Sequence, residues 1–185
     1  MIEICGHAIV SADDKIADAS GLMPAGLRHE ADWQHFQHQL DQASLIVLGR
    51  IGHAMFPNPK GRCRLILSHQ AQGLELRADG FWWNPQLMNW REVAAKLLAE
   101  GGRVAVTGGR LVFDEFLAIG FDCFYLARAE NVTISDGVPI FSQCRNGISA
   151  QDVLRQHGLA QRNYAMLDDK ARVSLSIWQA GAKQG

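Results

Sequence analysis

The sequence predicts an α/β fold, with a mostly parallel central sheet, flanking helices and an antiparallel C-terminal edge. Three observations predict it. Short apolar runs at 45–48 and 103–107 read as strands buried in the sheet, and 64–68 reads as another strand. Stretches before, between and after them, at 30–41, 90–100 and 111–119, have the look of helices. Strands that alternate with helices pair in parallel and leave both faces of the sheet covered.

Residues 2–10 form the first expected strand, rich in Ile and Val and punctuated by Gly6. Residues 11–28 are small, polar and broken by Gly21, Pro24 and Gly26, so a long loop is expected; such loops are usually functional or disordered. In the helix at 30–41, Trp33, Phe36 and Leu40 make one apolar stripe. Gly49-Arg50 ends the next strand and a short helix follows. Asn58-Pro59-Lys60-Gly61 is a turn before the strand at 64–68. A weaker strand at 74–76 precedes Phe81-Trp82-Trp83-Asn84-Pro85, which fits no element by pattern. Asn89 caps the helix at 90–100, and Gly101-Gly102 stops it. After the helix at 111–119 come a strand at 121–127, a helix at 150–157 and a β-like run at 173–178. No repeat or linker divides the chain, so residues 1–185 are read as a single domain.

Composition narrows the function classes. Charged residues make up 20% and the formal net charge is −1, so the chain as a whole offers no cationic field for nucleic acid or an acidic membrane. No apolar run approaches membrane-spanning length, and Met1-Ile-Glu-Ile lacks the basic start of a secretory signal; a cytoplasmic protein is expected. Cys5, Cys63, Cys123 and Cys144 are far apart with no C-x-x-C, which argues against zinc and a disulfide framework and predicts four reduced thiols.

The strongest chemical pattern is a pair of glycine turns, each closing a buried strand. Leu45-Ile-Val-Leu48 leads into Gly49-Arg50-Ile51-Gly52, and Val104-Ala-Val-Thr107 leads into Gly108-Gly109. Glycine lets backbone N–H groups approach a phosphate, and a helix N-terminus adds unsatisfied donors. Two such turns suit the two ends of a dinucleotide. Either one alone is as often a tight connection. G-x-G-x-x-G and G-x-x-x-x-G-K-[ST] are both missing, so the common Rossmann and P-loop readings fail. Arg50 beside a phosphate-binding turn suits the 2′-phosphate of NADPH, although a surface ion pair also explains it.

Asp32 stands at i, i+4 from Phe36, at the edge of the apolar stripe, where partial burial raises a carboxyl pKa and equips it for proton delivery. An acid in the first helical turn also simply favours the helix dipole. His35 and His38 fall on the face opposite Trp33 and Leu40, without a carboxylate at zinc spacing, so with His29 they give no metal site. Trp82, Trp83 and Trp90 read as core or interface rather than a stacking platform.

The order of these segments resembles the dihydrofolate reductases. Gly6-His-Ala-Ile-Val-Ser-Ala-Asp-Asp-Lys-Ile-Ala17, Met23-Pro24, Asp32-x-x-x-Phe36, Leu48-Gly49-Arg50, Gly61-Arg62 with Leu65-Ile-Leu-Ser68, Thr107-Gly108-Gly109-Arg-Leu-Val-Phe113, Asp114-Glu115-Phe116-Leu117 and Phe124-Tyr125-Leu126 follow the same order as in that family. The match runs over residues 2–141, with extra residues at 81–89. Ser11-Ala-Asp-Asp-Lys-Ile-Ala17 is similar to the riboflavin-biosynthesis reductase branch of the same fold.

The resemblance implies a small-molecule reductase with NADPH as cofactor. Ala8 and Ile16 would flank the nicotinamide, Gly49 and Arg50 with nearby Ser68 would hold the adenosine-side phosphates, and Gly108 and Gly109 would approach the pyrophosphate. Met23 would ride on the loop that closes over the nicotinamide. Asp32 would be the active-site carboxylate, with Phe36 beside it, and Arg62 would grip the glutamate of a folate. Hydride would pass to a C=N bond of a pterin- or folate-like substrate. The alternatives are reduction of a ribosylated aminopyrimidine or another carbonyl compound, and NADPH binding without catalysis. The riboflavin branch tends to pair and the folate branch is often monomeric, so a homodimer stays open, with the run at 173–178 available to it. Three positions depart from the family: Ala25 replaces a Trp, and Gly52 and Ala127 replace threonines, removing hydroxyls from the cofactor and substrate shells.

Overall fold

The computed structural model describes residues 1–181. Its centre is a nine-stranded sheet. Strands β1 (Ile2–Ser11), β3 (Leu45–Gly49), β4 (Arg64–Leu67), β6 (Gly80–Trp83), β7 (Gly102–Val106) and β8 (Cys123–Ala129) lie parallel in the order β8-β1-β7-β3-β4-β6. β10 (Leu159–Asp168) and β11 (Val173–Ala180) add an antiparallel edge beside β8, as expected for the C-terminus. β5 (Leu74–Arg77) adds a second antiparallel edge through a hairpin with β6. β2 (Lys15–Ala17) pairs with β9 (Val138–Pro139) apart from this sheet.

The helices sit where periodicity and caps put them. They are α1 (Glu30–Asp41), α2 (Arg50–Met55), α3 (Trp90–Leu97), α4 (Arg110–Ile119) and α5 (Ala150–Gln156). Asn89 closes a full capping box with Glu92, which fixes the start of α3. Alternation along each strand splits the core in two. Ile4, Val10, Val104, Val106 and Phe124 face a large cluster with Phe113, Phe116, Phe141 and Trp178, while Ile46, Leu48, Ile66 and Ala105 face Leu40 and Phe36 of α1. None of the described helices is long and apolar enough to cross a membrane.

Two expectations need correction, and one segment left open finds its place. Residues 11–28 are not all loop: β2 and a 3-10 turn at Ala25–Leu27 lie within them. The unplaced Phe81-Trp82-Trp83 segment is β6, parallel to β4. The four thiols are not all reduced, because Cys5 and Cys123 sit opposite one another on β1 and β8 and form a disulfide. A pairing across 118 residues becomes visible only once the two strands are neighbours. Cys63 and Cys144 remain free. The tryptophan cluster also divides. Trp83 and Trp90 pack on Phe116 in the core, whereas Trp82 lies on the opposite face under the Arg77 guanidinium.

Phe116 is fully buried among Trp83, Trp90 and Phe121. Replacing it with alanine is expected to cost about 3–5 kcal/mol in urea unfolding, whereas Leu76→Ala on the exposed β5 edge is expected to stay within about 0.5 kcal/mol.

Candidate active site

The two glycine turns meet. β3 and β7 are neighbours in parallel register, so their carboxyl ends open side by side. Thr107 N–H donates to Val47 O at 2.9 Å, and Gly49 N–H donates to Gly108 O at 2.9 Å, which ties one turn to the other. Gly108 has φ +97°, and a Cβ there would lie 2.7 Å from Phe113 Cε2. Glycine is therefore required by both backbone conformation and space. The Gly108-Gly109 peptide is cis.

Gly109 differs from its neighbour. It caps α4 with ordinary extended backbone, and a Cβ built on it would meet nothing nearer than Ile16 Cδ1 at 3.9 Å. Its surface is open, and the first N–H groups of α4 have no intrahelical acceptor. An anion can come close to the chain here, and the fit for a dinucleotide pyrophosphate is good. Arg50 opens α2 just after Gly49, is solvent-exposed, and among the described residues makes only a 3.5 Å contact with Gln70. Ser68 is buried at the end of β4, its Oγ accepting from Gln70 N–H. Ile16 on β2 lies beside Gly109, and Ala8 on β1 is half-buried opposite Leu126.

Across this edge lies the amino-terminal turn of α1. Asp32 is half-buried there, and no hydrogen bond or ion pair from the described residues reaches its carboxylate. Burial pushes its pKa up from 3.8 to about 6, against a smaller opposing pull from His29. The expected apolar stripe needs correction. Trp33 is 46% exposed, whereas Asp32, His35, Phe36, Gln39 and Leu40 are half-buried or buried. The inward face is thus more polar than apolar periodicity suggested, because the seam under it holds charged and imidazole groups.

The loop at 17–28 is folded by Asp18, whose carboxylate accepts from Ser20 N–H, Ser20 Oγ–H and Leu22 N–H. The Ser20 hydroxyl first, then the Leu22 and Ser20 N–H groups, hold the Asp18 pKa below its ordinary value, against a smaller opposing effect of burial. Met23 on this loop packs with the cluster of Ile9, Leu27 and Ala127, and a Cβ at Gly21 would touch Ile51 of α2. Arg62 is already engaged. Its Nε donates to Asp41 at 3.0 Å, and Nη2 donates to Gln37 at 2.9 Å and also pairs with Asp41.

The three imidazoles near α1 do not converge. His29 bonds Gly26 O, His38 bonds Gln42, and His35 turns inward toward Tyr125, correcting its expected polar-face position. Sequence reasoning missed His7. It is 3% exposed on β1, stacked on Tyr125 with ring centroids 4.8 Å apart, and 6.2 Å from Phe36. Among the described residues neither ring nitrogen has a partner, nor does Nε2 of His35. Burial, Arg103 and His35 together lower the His7 pKa to about 3, so it is neutral. Each such unpaired buried group costs about 1–3 kcal/mol. Only its place inside a strand, facing a helix with a carboxylate, could have drawn attention to it.

No protein-family model and no curated protein matches the sequence. Solved structures do match in shape. The deaminase/5-amino-6-(5-phosphoribosylamino)uracil reductase of Thermotoga maritima superposes with a TM-score of 0.70 at 15% identity over 97% of this chain. This chain spans 57% of that protein's length. A protein assigned to riboflavin biosynthesis from Shewanella sp. PV-4 gives a TM-score of 0.68 at 15% identity, over 97% of this chain and 99% of that one. Dihydrofolate reductase from Enterococcus faecalis, complexed with NADP(H), gives 0.66 at 14% identity, over 96% and 95%. The fold is dihydrofolate reductase-like, shared by riboflavin-pathway reductases and dihydrofolate reductase.

Two predictions follow from the glycines and Asp32. Gly109→Ala is expected to fold with nearly unchanged Tm, whereas Gly108→Ala is expected to lose about 1–3 kcal/mol of stability, read by urea unfolding. The folded Asp32 carboxyl keeps its proton to about pH 6, while the unfolded one releases it near 3.8. The stability it contributes is therefore full below pH 3.8 and lost as pH rises through 6. Asp32→Asn is expected to gain on the order of 1–3 kcal/mol over the parent at pH 7.5 and nothing at pH 3.5, measured by urea unfolding.

Proposed function

We propose that the protein is an NADPH-dependent reductase that transfers hydride to a C=N or C=O bond of a pterin- or aminopyrimidine-type ring. The observation that carries this reading is the joined pair of glycine turns at the carboxyl edge of β3 and β7, with a half-buried, unpaired carboxyl on α1. NADPH, when bound, supplies the hydride. The Gly109 turn and the start of α4 hold its pyrophosphate. Gly49, Arg50 and Ser68 hold the adenosine-side phosphates, with Arg50 on the 2′-phosphate. Ala8 and Ile16 flank the nicotinamide, and the loop carrying Met23 shields it from water.

Asp32 receives the substrate. With a pKa near 6 it exchanges a proton close to neutrality, so it can pair with an amino-substituted ring and deliver a proton as hydride arrives. Phe36 walls the ring one helical turn away. Two substrates fit this description. For a folate, Arg62 would grip the terminal carboxylate. Its fork is already on Asp41 and Gln37, which favours the second, a ribosylated aminopyrimidine that needs no such grip.

Turnover tests the reading. Oxidation of NADPH is expected with a ribosylated aminopyrimidine, with dihydrofolate slower or inert. Arg50→Ala is expected to raise KM for NADPH about tenfold, the worth of a charge-assisted hydrogen bond, while leaving NADH unaffected. Asp32→Asn is expected to lower kcat by about a hundredfold or more. Binding of NADPH without oxidation on any such ring would identify a cofactor-binding protein rather than an enzyme.

A further inference from the structure

The seam between α1 and the β1–β8 pair is polar where a folded core is normally apolar. His7 and Tyr125 stand opposite one another in register, His35 leans on Tyr125 with ring centroids 5.6 Å apart, and Phe36 closes over His7. Arg103 lies beneath, bonded to Glu3, Gln39 and Gln42. Within this layer, both nitrogens of His7 and Nε2 of His35 are sealed from solvent and have no partner among the described residues. Native proteins leave few such groups, and each one asks what pairs it in the working state.

We infer that His7 and His35 are specificity-determining residues that hydrogen-bond a hydroxyl-bearing arm on the ring held by Asp32. The inference rests on the reductase reading of that carboxyl. The spacing suits a short polar arm. His35 is three residues along α1 from Asp32, about 4.5 Å of helical rise, and faces the same seam. A sugar ring spans a similar distance. Its hydroxyls both donate and accept, which matches neutral imidazoles that carry one N–H and one lone pair each. An aryl arm of the folate kind would leave all three nitrogens unpaired. An anionic arm would find neutral imidazoles, with Arg103 already engaged by Glu3.

The test is calorimetric binding of two probes with thermal unfolding in parallel. The probes are 2,4-diaminopyrimidine and the same ring bearing a ribosylamino substituent. The wild-type protein is expected to bind the ribosylamino ring at least tenfold more tightly than the bare ring. His7→Leu is expected to keep or raise Tm, bind the bare ring as the parent does, and lose that tenfold preference. His7→Gln, which restores a donor and an acceptor, is expected to recover part of it. A purely structural histidine would instead lower Tm on replacement and leave the preference intact, which overturns the inference. Equal wild-type affinity for both rings also overturns it, and needs no variant to fold. Failure of the wild type to bind either ring, or bare-ring binding that survives Asp32→Asn unchanged, sinks the reductase reading underneath.

Discussion

One backbone hydrogen bond holds the site together, from Gly49 N–H to Gly108 O. It joins the ends of two adjacent parallel strands, and so sets the distance between Arg50 on one turn and the open Gly109 surface on the other. Everything proposed for the cofactor depends on that spacing. The bond is possible because β3 and β7 are neighbours in register and because Gly108 adopts a positive φ against Phe113. A side chain at Gly108 would strike Phe113, and one at Gly49 or Gly109 would occupy the open approach without disturbing the turns. Fold and function therefore use the same small residues.

The proposed substrate side is built on the opposite principle. The turns expose backbone, whereas the seam under α1 buries titratable side chains. Burial raises Asp32 toward neutrality and drives His7 far below it, so one group exchanges protons near physiological pH and the other stays neutral. A carboxyl that can donate and imidazoles that can share hydrogen bonds are complementary tools for a nitrogen heterocycle with polar substituents. Their cost to stability is the trade expected where a site rather than a core is being shaped.

Much of this was legible in the chain itself, for physical reasons. The central strands are continuous apolar runs, and the turns that end them need glycine, so both leave local marks. Asn89, read as the cap of α3, does the same. Other features leave none. β10 is an edge strand whose residues from Ala160 to Ala165 are exposed, so it carries no alternation. The Cys5–Cys123 bond joins residues that only the β1–β8 register brings together. Trp33 took the place of His35 in the predicted inner face of α1 because periodicity ranks residues by hydrophobicity, and the seam rewards polarity. His7 looked like one polar residue in an apolar strand until Tyr125 and Phe36 surrounded it.

The most direct measurement of the central claim is the amide spectrum of the protein, ¹⁵N-labelled at glycine, as NADPH is added. The account predicts that the Gly49, Gly108 and Gly109 resonances shift together and saturate on one binding curve, while Gly120 and Gly147, at the end of α4 and after Asn146, stay put. Uptake of NADPH that moves other glycines and leaves these three unchanged, or no uptake at all, would contradict it.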